Sequence, residues 1–167
     1  MLSFALITSG DSSASLESAR RAVELNPSYP LALTFLAYMA HMTGHPPQES
    51  IDRVHRAMRL SPQDPIEWLF YDALGGAYWN AEQYEEGLAV SKRLIAMLPN
   101  YYYGYIWAVL NLVGLGRIDD AKEMIRQARR VQPALSLALV RSTLGAMAAD
   151  VDRRMSDALI KAGIPES

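Results

Sequence analysis

Few residues in this chain are of the right type and spacing to do chemistry. His41 and His45 stand four apart, the spacing that places two imidazoles on one helical face and suits a metal ion. Gly44 and Pro46 interrupt a helix there, and no carboxylate motif accompanies the pair, so both read as groove or turn histidines. His55 sits among arginines and reads as a surface residue. Glu67 and Asp72 share a helix but lie five apart, pointing in different directions, so they do not form an acid–base pair. Asp72 in an apolar setting has three open readings: a carboxyl of raised pKa, an acceptor for a tyrosine or helix end, or a partner for a ligand donor. Tyr101-Tyr102-Tyr103, Tyr105 and Trp107 could stack on nucleic-acid bases. Such platforms work beside a basic groove, however, and 94–113 holds no Lys or Arg. The nucleophile elbow, the phosphate-cradling glycine loop and the His-Glu-x-x-His zinc motif are all missing. The chain is expected to be no enzyme and to need no metal or organic cofactor.

Composition narrows the field further. The 167 residues are half apolar and one-fifth charged, which suits one folded domain or a short repeat array. Sixteen basic residues against eighteen acidic ones give a net charge of −2, without the basic excess of a nucleic-acid binder. No cysteine is present, which excludes disulfides, thiolate nucleophiles and cysteine zinc sites and fits a reducing compartment. No apolar run reaches the length of a membrane span, and the opening Met1–Ile7 stretch lacks the positive leader of a signal sequence. A cytoplasmic protein without membrane insertion is the expectation.

The elements that must position these residues are marked by prolines. Pro27, Pro62, Pro99 and Pro133 are 35, 37 and 34 residues apart, and each follows a helix-like stretch. Twelve residues before each lies a small side chain, Ser15, Ser50, Gly87 or Ala121, which would let a neighbouring helix approach closely. Seventeen before it lies Gly10, Glu82 or Gly116, with Gly44 one place early, at the point where a left-handed turn would end a helix. The pattern predicts paired helices at about 2–9 and 12–25, 30–43 and 47–60, 65–80 and 82–97, and 101–115 and 118–131. A shorter helix follows Pro133, and a last one spans about 148–162, ending at Gly163 and Pro165. Asn80-Ala81-Glu82-Gln83 reads as a capping box. Basic residues concentrate on the second helices, as in Arg53, Arg56, Lys92 and Arg126. They are interleaved with acids such as Glu24, Asp52, Glu85 and Glu123, so a solvated outer face with helical ion pairs is expected.

This register resembles the tetratricopeptide repeat (TPR). In the third unit Leu74-Gly75, Tyr78, Tyr84, Gly87, Leu94 and Pro99 match the family's positions, and the fourth keeps Tyr105, Leu112, Gly116, Ala121, Ala128 and Pro133. The second keeps Leu36-Ala37, Ala57 and Pro62; the first keeps Leu2-Ser3, Leu6, Gly10, Ala22 and Pro27. The resemblance implies an all-α, right-handed α-solenoid of about four TPR helix pairs with a C-terminal capping helical segment. The chain would be a single repeat domain with units at about 1–29, 30–64, 65–101 and 102–135 and a cap at 136–163. The later units and the ending also resemble the C-terminal TPR regions of bacterial nucleotidyl cyclases and winged-helix regulators. Met1 falls just before the first unit's leucine, so the first helix is expected to lack about six residues. Leu2, Phe4 and Leu6 would then expose an apolar edge, covered by a dimer partner or by more of a larger protein.

In a TPR array the first helices line a concave groove. Carried onto this chain, that wall would present Phe35, Tyr38 and His41 from the second unit, Asp72, Trp79 and Asn80 from the third, and Tyr103 and Trp107 from the fourth. The clamp of Lys, Asn and Arg that holds chaperone C-termini is replaced by Tyr, Trp, Ile and Thr. The implied function is a protein–protein interaction scaffold or regulatory module binding a peptide or helix in an aromatic groove. Alternatively the rings pack on one another, or under C-terminal helices folded back into the groove. A small-molecule-sensing regulatory domain and a homodimerisation module with an unused groove are the other readings.

Overall fold

The computed structural model describes residues 12–145 and 147–167. Among these residues the regular elements are helices: α1 Ser12–Leu25, α2 Pro30–Met42, α3 Pro47–Leu60, α4 Glu67–Asn80, α5 Tyr84–Met97, α6 Tyr102–Gly114, α7 Ile118–Val131, α8 Leu137–Leu144 and α9 Ala149–Lys161. The expected helix at 2–9 and the apolar edge of Leu2, Phe4 and Leu6 lie outside the described residues.

From α1 to α7 consecutive helices pack as antiparallel neighbours, and α2, α4 and α6 also stack directly on one another. An inner layer of α2, α4 and α6 is thus backed by an outer layer of α1, α3, α5 and α7, which is the right-handed TPR solenoid. Sequence dictates which helix goes where. The outer α3 and α7 bury one narrow face each, Ile51, Val54 and Ala57 or Ala121, Ile125 and Ala128, at three- and four-residue spacing. The inner α4 and α6 are apolar almost all round and bury long runs, Asp72–Trp79 and Gly104–Leu112. Ser15, Ser50, Gly87 and Ala121 are all buried where helices meet. A Cβ on Gly87 would come within 2.1 Å of Asn111 Oδ1.

The inner helices end alike. His45 N–H donates to Ala40 O (3.0 Å), Gln83 N–H to Tyr78 O (3.0 Å) and Arg117 N–H to Leu112 O (2.9 Å). These bonds close Schellman turns through a left-handed residue: Gly44 (φ 82°), Glu82 (φ 60°) and Gly116 (φ 73°). The Asn80–Gln83 stretch is therefore a helix C-terminus and not a capping box. Helix α5 begins only at Tyr84, Gln83 makes no side-chain cap bond, and the Asn80 amide donates to His41 instead. Similarly α4 starts at Glu67, because Asp64 Oδ1 accepts the Ile66 N–H at 3.0 Å and holds the extra residues in a turn.

The C-terminal segment determines how much of the concave face stays open. Helix α9 runs across the C-terminal ends of the inner helices. Ala148 N–H donates to Met42 O at 3.0 Å at its start, Arg154 reaches Trp79, and Ala158 and Lys161 lie beside Leu110, Val113 and Gly114. Val151, Met155, Ala158 and Leu159 form its buried stripe. Beyond α9 the chain doubles back, and Leu137 N–H donates to Pro165 O at 2.8 Å.

Candidate partner-binding groove

Asp72 is the polar centre of the concave face. It is 4% exposed, its Oδ1 accepts the Trp107 Nε1–H at 2.8 Å, and its Oδ2 accepts the Tyr101 hydroxyl at 3.2 Å. Burial pushes its carboxyl up to about 6, against the opposing pull of these two bonds. The same burial, reinforced by the Asp72 charge, raises Tyr101 and Tyr38 well above the usual tyrosine range; burial also raises Tyr103. These hydroxyls stay protonated and can act as hydrogen-bond donors.

Around this centre the rings interlock. Trp68 meets Tyr101 edge-on at 5.6 Å, Tyr101 and Tyr103 are 5.6 Å apart, and Tyr102 stacks on Tyr103 at 4.4 Å. The Tyr102 and Tyr103 hydroxyls both reach Thr143 Oγ1 on α8. Tyr38, Trp68, Tyr101, Tyr102 and Tyr103 are half-buried, as is Phe35. Trp107 is an interior side chain, 1% exposed. Space for it comes from Gly75 and Gly76. A Cβ on Gly75 would lie 2.9 Å from Trp107 Cβ, and one on Gly76 would lie 2.7 Å from His41 Cε1 and 3.0 Å from the Trp107 ring.

The other end of the groove lies under α9. Trp79 is 4% exposed, with the Arg154 guanidinium 4.9 Å above its ring. His41 is 1% exposed; its Nδ1 receives the Asn80 amide at 3.1 Å, and burial pulls its pKa down to about 3. It is neutral at physiological pH, and its Nε2 is buried with no hydrogen-bond partner. His45 is a turn residue between Thr43 Oγ1 and Arg20, and half-buried His55 pairs with the Tyr78 hydroxyl at 2.9 Å. Among the described residues no group of His, Asp and Glu is arranged to hold a metal.

The structure thus divides the eight expected groove residues. Tyr38, Asp72, Tyr103 and Trp107 belong to one aromatic cluster, His41, Trp79 and Asn80 sit under α9, and Phe35 is half-buried on α2. Sequence reasoning missed Trp68 and Tyr101 as members of the cluster, and Arg154 as the cover of Trp79. Tyr101 opens the expected 101–115 helix, but in the structure it is the residue before α6, in extended conformation, so the expected register does not give its direction. Arg154 belongs to a segment whose resting place no local pattern states.

No family model matches the chain, and no curated protein matches it. Solved structures do. The chain is similar to a thermophilic TPR protein of Thermus thermophilus (22% identity, TM-score 0.68, covering 96% of this chain and 82% of that one). It is also similar to MamA of Desulfovibrio magneticus (15%, 0.63, 96% and 89%) and to PilF of Pseudomonas aeruginosa (16%, 0.63, 97% and 73%). At such identities the likeness shows the TPR fold and nothing finer.

Proposed function

We propose that this chain is a protein-interaction module whose open aromatic end of the concave face receives an apolar peptide or helix from a partner protein. The observation that carries the reading is the set of half-buried rings, Tyr38, Tyr101 and Tyr103, gathered around a single buried carboxylate, with half-buried Phe35 on the same helix as Tyr38. Large, rigid rings provide contact area at small entropic cost, and protonated tyrosine hydroxyls can donate to the carbonyls of a docked backbone. Trp107 and Asp72 support the surface from below. His41, Asn80 and Trp79 seat α9, which blocks the far end, so a partner segment would be short. The TPR fold supports a non-catalytic scaffold role, and among the described residues no helix is long and apolar enough to cross a membrane.

A second reading follows from where α9 meets the groove. The seam holds cavities of about 280 Å³ beside Trp79 and Leu110 and about 100 Å³ beside His41 and Asn80. A small-molecule-sensing regulatory domain would use this seam. Both cavities fall below the roughly 300–1,000 Å³ typical of ligand pockets, and the larger one of about 510 Å³ between α8 and α9 is lined by Arg141, Ser142 and Asp152 and not by the rings, so the peptide reading is preferred. Affinity capture from the source cell would test it, comparing the wild-type chain with a Tyr38→Ser, Tyr103→Ser double variant checked for folding by circular dichroism. Loss of one specific partner from the variant is the expected result; identical capture by both would refute the groove.

A further inference from the structure

We propose that the edge of the solenoid where the outer helices end is a docking surface for an anionic lipid bilayer, held peripherally by apolar tips set among unpaired basic side chains. This edge borders the aromatic cluster through Trp68 and Tyr102, but its leucine and methionine tips and its basic side chains lie on the outer helices, so the inference does not depend on what the groove binds.

The apolar tips come first. Leu25, Tyr29, Leu60, Met97 and Ile160 are the large hydrophobic residues exposed among the described ones, at 73%, 47%, 44%, 37% and 48%. All but Ile160 lie at one edge. Leu25, Leu60 and Met97 occupy the same register, two residues before the turn prolines, so the repeat lines them up one per unit, with half-buried Val131 in the fourth place. Half-buried Trp68 and Tyr102, at the starts of α4 and α6, flank them. Aromatic rings of this kind favour the boundary between water and lipid.

Charge then separates lipid from the other occupants. The seven residues before each of the four prolines contain nine basic side chains and one acidic one, within a chain of net charge −2. Arg56, Arg59, Lys92, Arg129 and Arg130 form no ion pair or hydrogen bond among the described residues. The acids nearby are engaged: Glu24 with Arg21 at 2.9 Å, Asp64 with the Ile66 N–H, and Glu67 with the Tyr71 hydroxyl. The opposite edge is acidic, with eight acids and two bases in the first seven residues of α1, α3, α5 and α7. Helix dipoles favour that polarity of charge. They do not favour exposed leucine and methionine between the arginines. A second copy presenting its acidic edge would match the charge but offer the row of apolar tips a single exposed large hydrophobic, Ile160 on α9. An anionic bilayer matches both features.

The test is co-sedimentation of the full chain with phosphatidylcholine vesicles, with and without roughly 30 mol% phosphatidylglycerol, at about 0.1 M salt. Binding to the anionic vesicles alone, reversed by high salt, is expected. Arg129→Gln with Arg130→Gln should weaken it roughly thirtyfold, and Leu25→Ser with Leu60→Ser should weaken it at least tenfold, without change in the helical circular dichroism. Arg117→Gln with Lys122→Gln removes the same charge from the opposite edge and should change binding less than about threefold. Failure to sediment with anionic vesicles, equal loss in the opposite-edge variant, or self-association that vesicles do not displace would each overturn the proposal.

Discussion

Replacing Asp72 by Asn tests the polar centre of the groove through the pH dependence of stability. Asn keeps the shape: its Oδ1 can still accept from Trp107 Nε1, and its amide can face the Tyr101 hydroxyl. What it loses is the titration. Asp72 has a folded pKa raised from 3.8 to about 6, so its contribution is fully present below the unfolded value and is lost as pH rises through about 6. Two pKa units correspond to about 3 kcal/mol of differential stability between pH ~4 and ~7. His41 works in the opposite direction. Its folded pKa is depressed from 6.5 to about 3, so its contribution is present above the unfolded value and is lost as pH falls. In the wild type the two slopes oppose each other between pH ~4 and ~6, and in the variant the His41 slope of about 1.4 kcal/mol per pH unit stands alone. Urea unfolding followed by far-ultraviolet circular dichroism should show wild type minus variant falling by about 3 kcal/mol from pH ~4 to pH ~7, with surface carboxylates cancelling in the difference. A difference that is flat with pH would refute the buried-carboxylate account.

Other perturbations follow from the same geometry. Gly76→Ala drives a methyl against His41 and Trp107, and thermal unfolding should register a loss of about 1–3 kcal/mol. Glu82→Gly relieves a left-handed conformation in an otherwise regular Schellman turn and should stabilise by up to about 1 kcal/mol, less the weak Arg154 pairing at 3.8 Å. Leu159→Ala empties a fully buried position under α9 and should cost about 2–5 kcal/mol in urea unfolding, marking α9 as core and not an appendage.

Much of the fold was legible because the repeat writes its own punctuation. The prolines and the three- and four-residue apolar spacing placed α1, α3 and α7 at their observed residues, 12–25, 47–60 and 118–131. Helix starts were less legible where side chains compete for backbone groups: Asp64 holds the residues before α4 in a turn, and a Schellman turn consumes the residues before α5. The expected acceptor role of Asp72 toward a tyrosine is present, but its second donor, Trp107, lies 35 residues away, a distance that no local pattern encodes. The spacing of Val151, Met155 and Leu159 identifies an apolar stripe without saying what it covers. That it crosses the groove, seating Arg154 over Trp79, is a tertiary fact.

The central claim, that the open aromatic end is where a partner docks, is tested most directly by site-specific photo-crosslinking in the source cell. A photoreactive phenylalanine analogue would replace Tyr103 or Phe35 inside the concave face, or Glu85 on the exposed outer side of α5. The account predicts one partner protein crosslinked through the same short segment from Tyr103 and Phe35, and not from Glu85. Crosslinking from Glu85 alone, or none from either concave position, would contradict it.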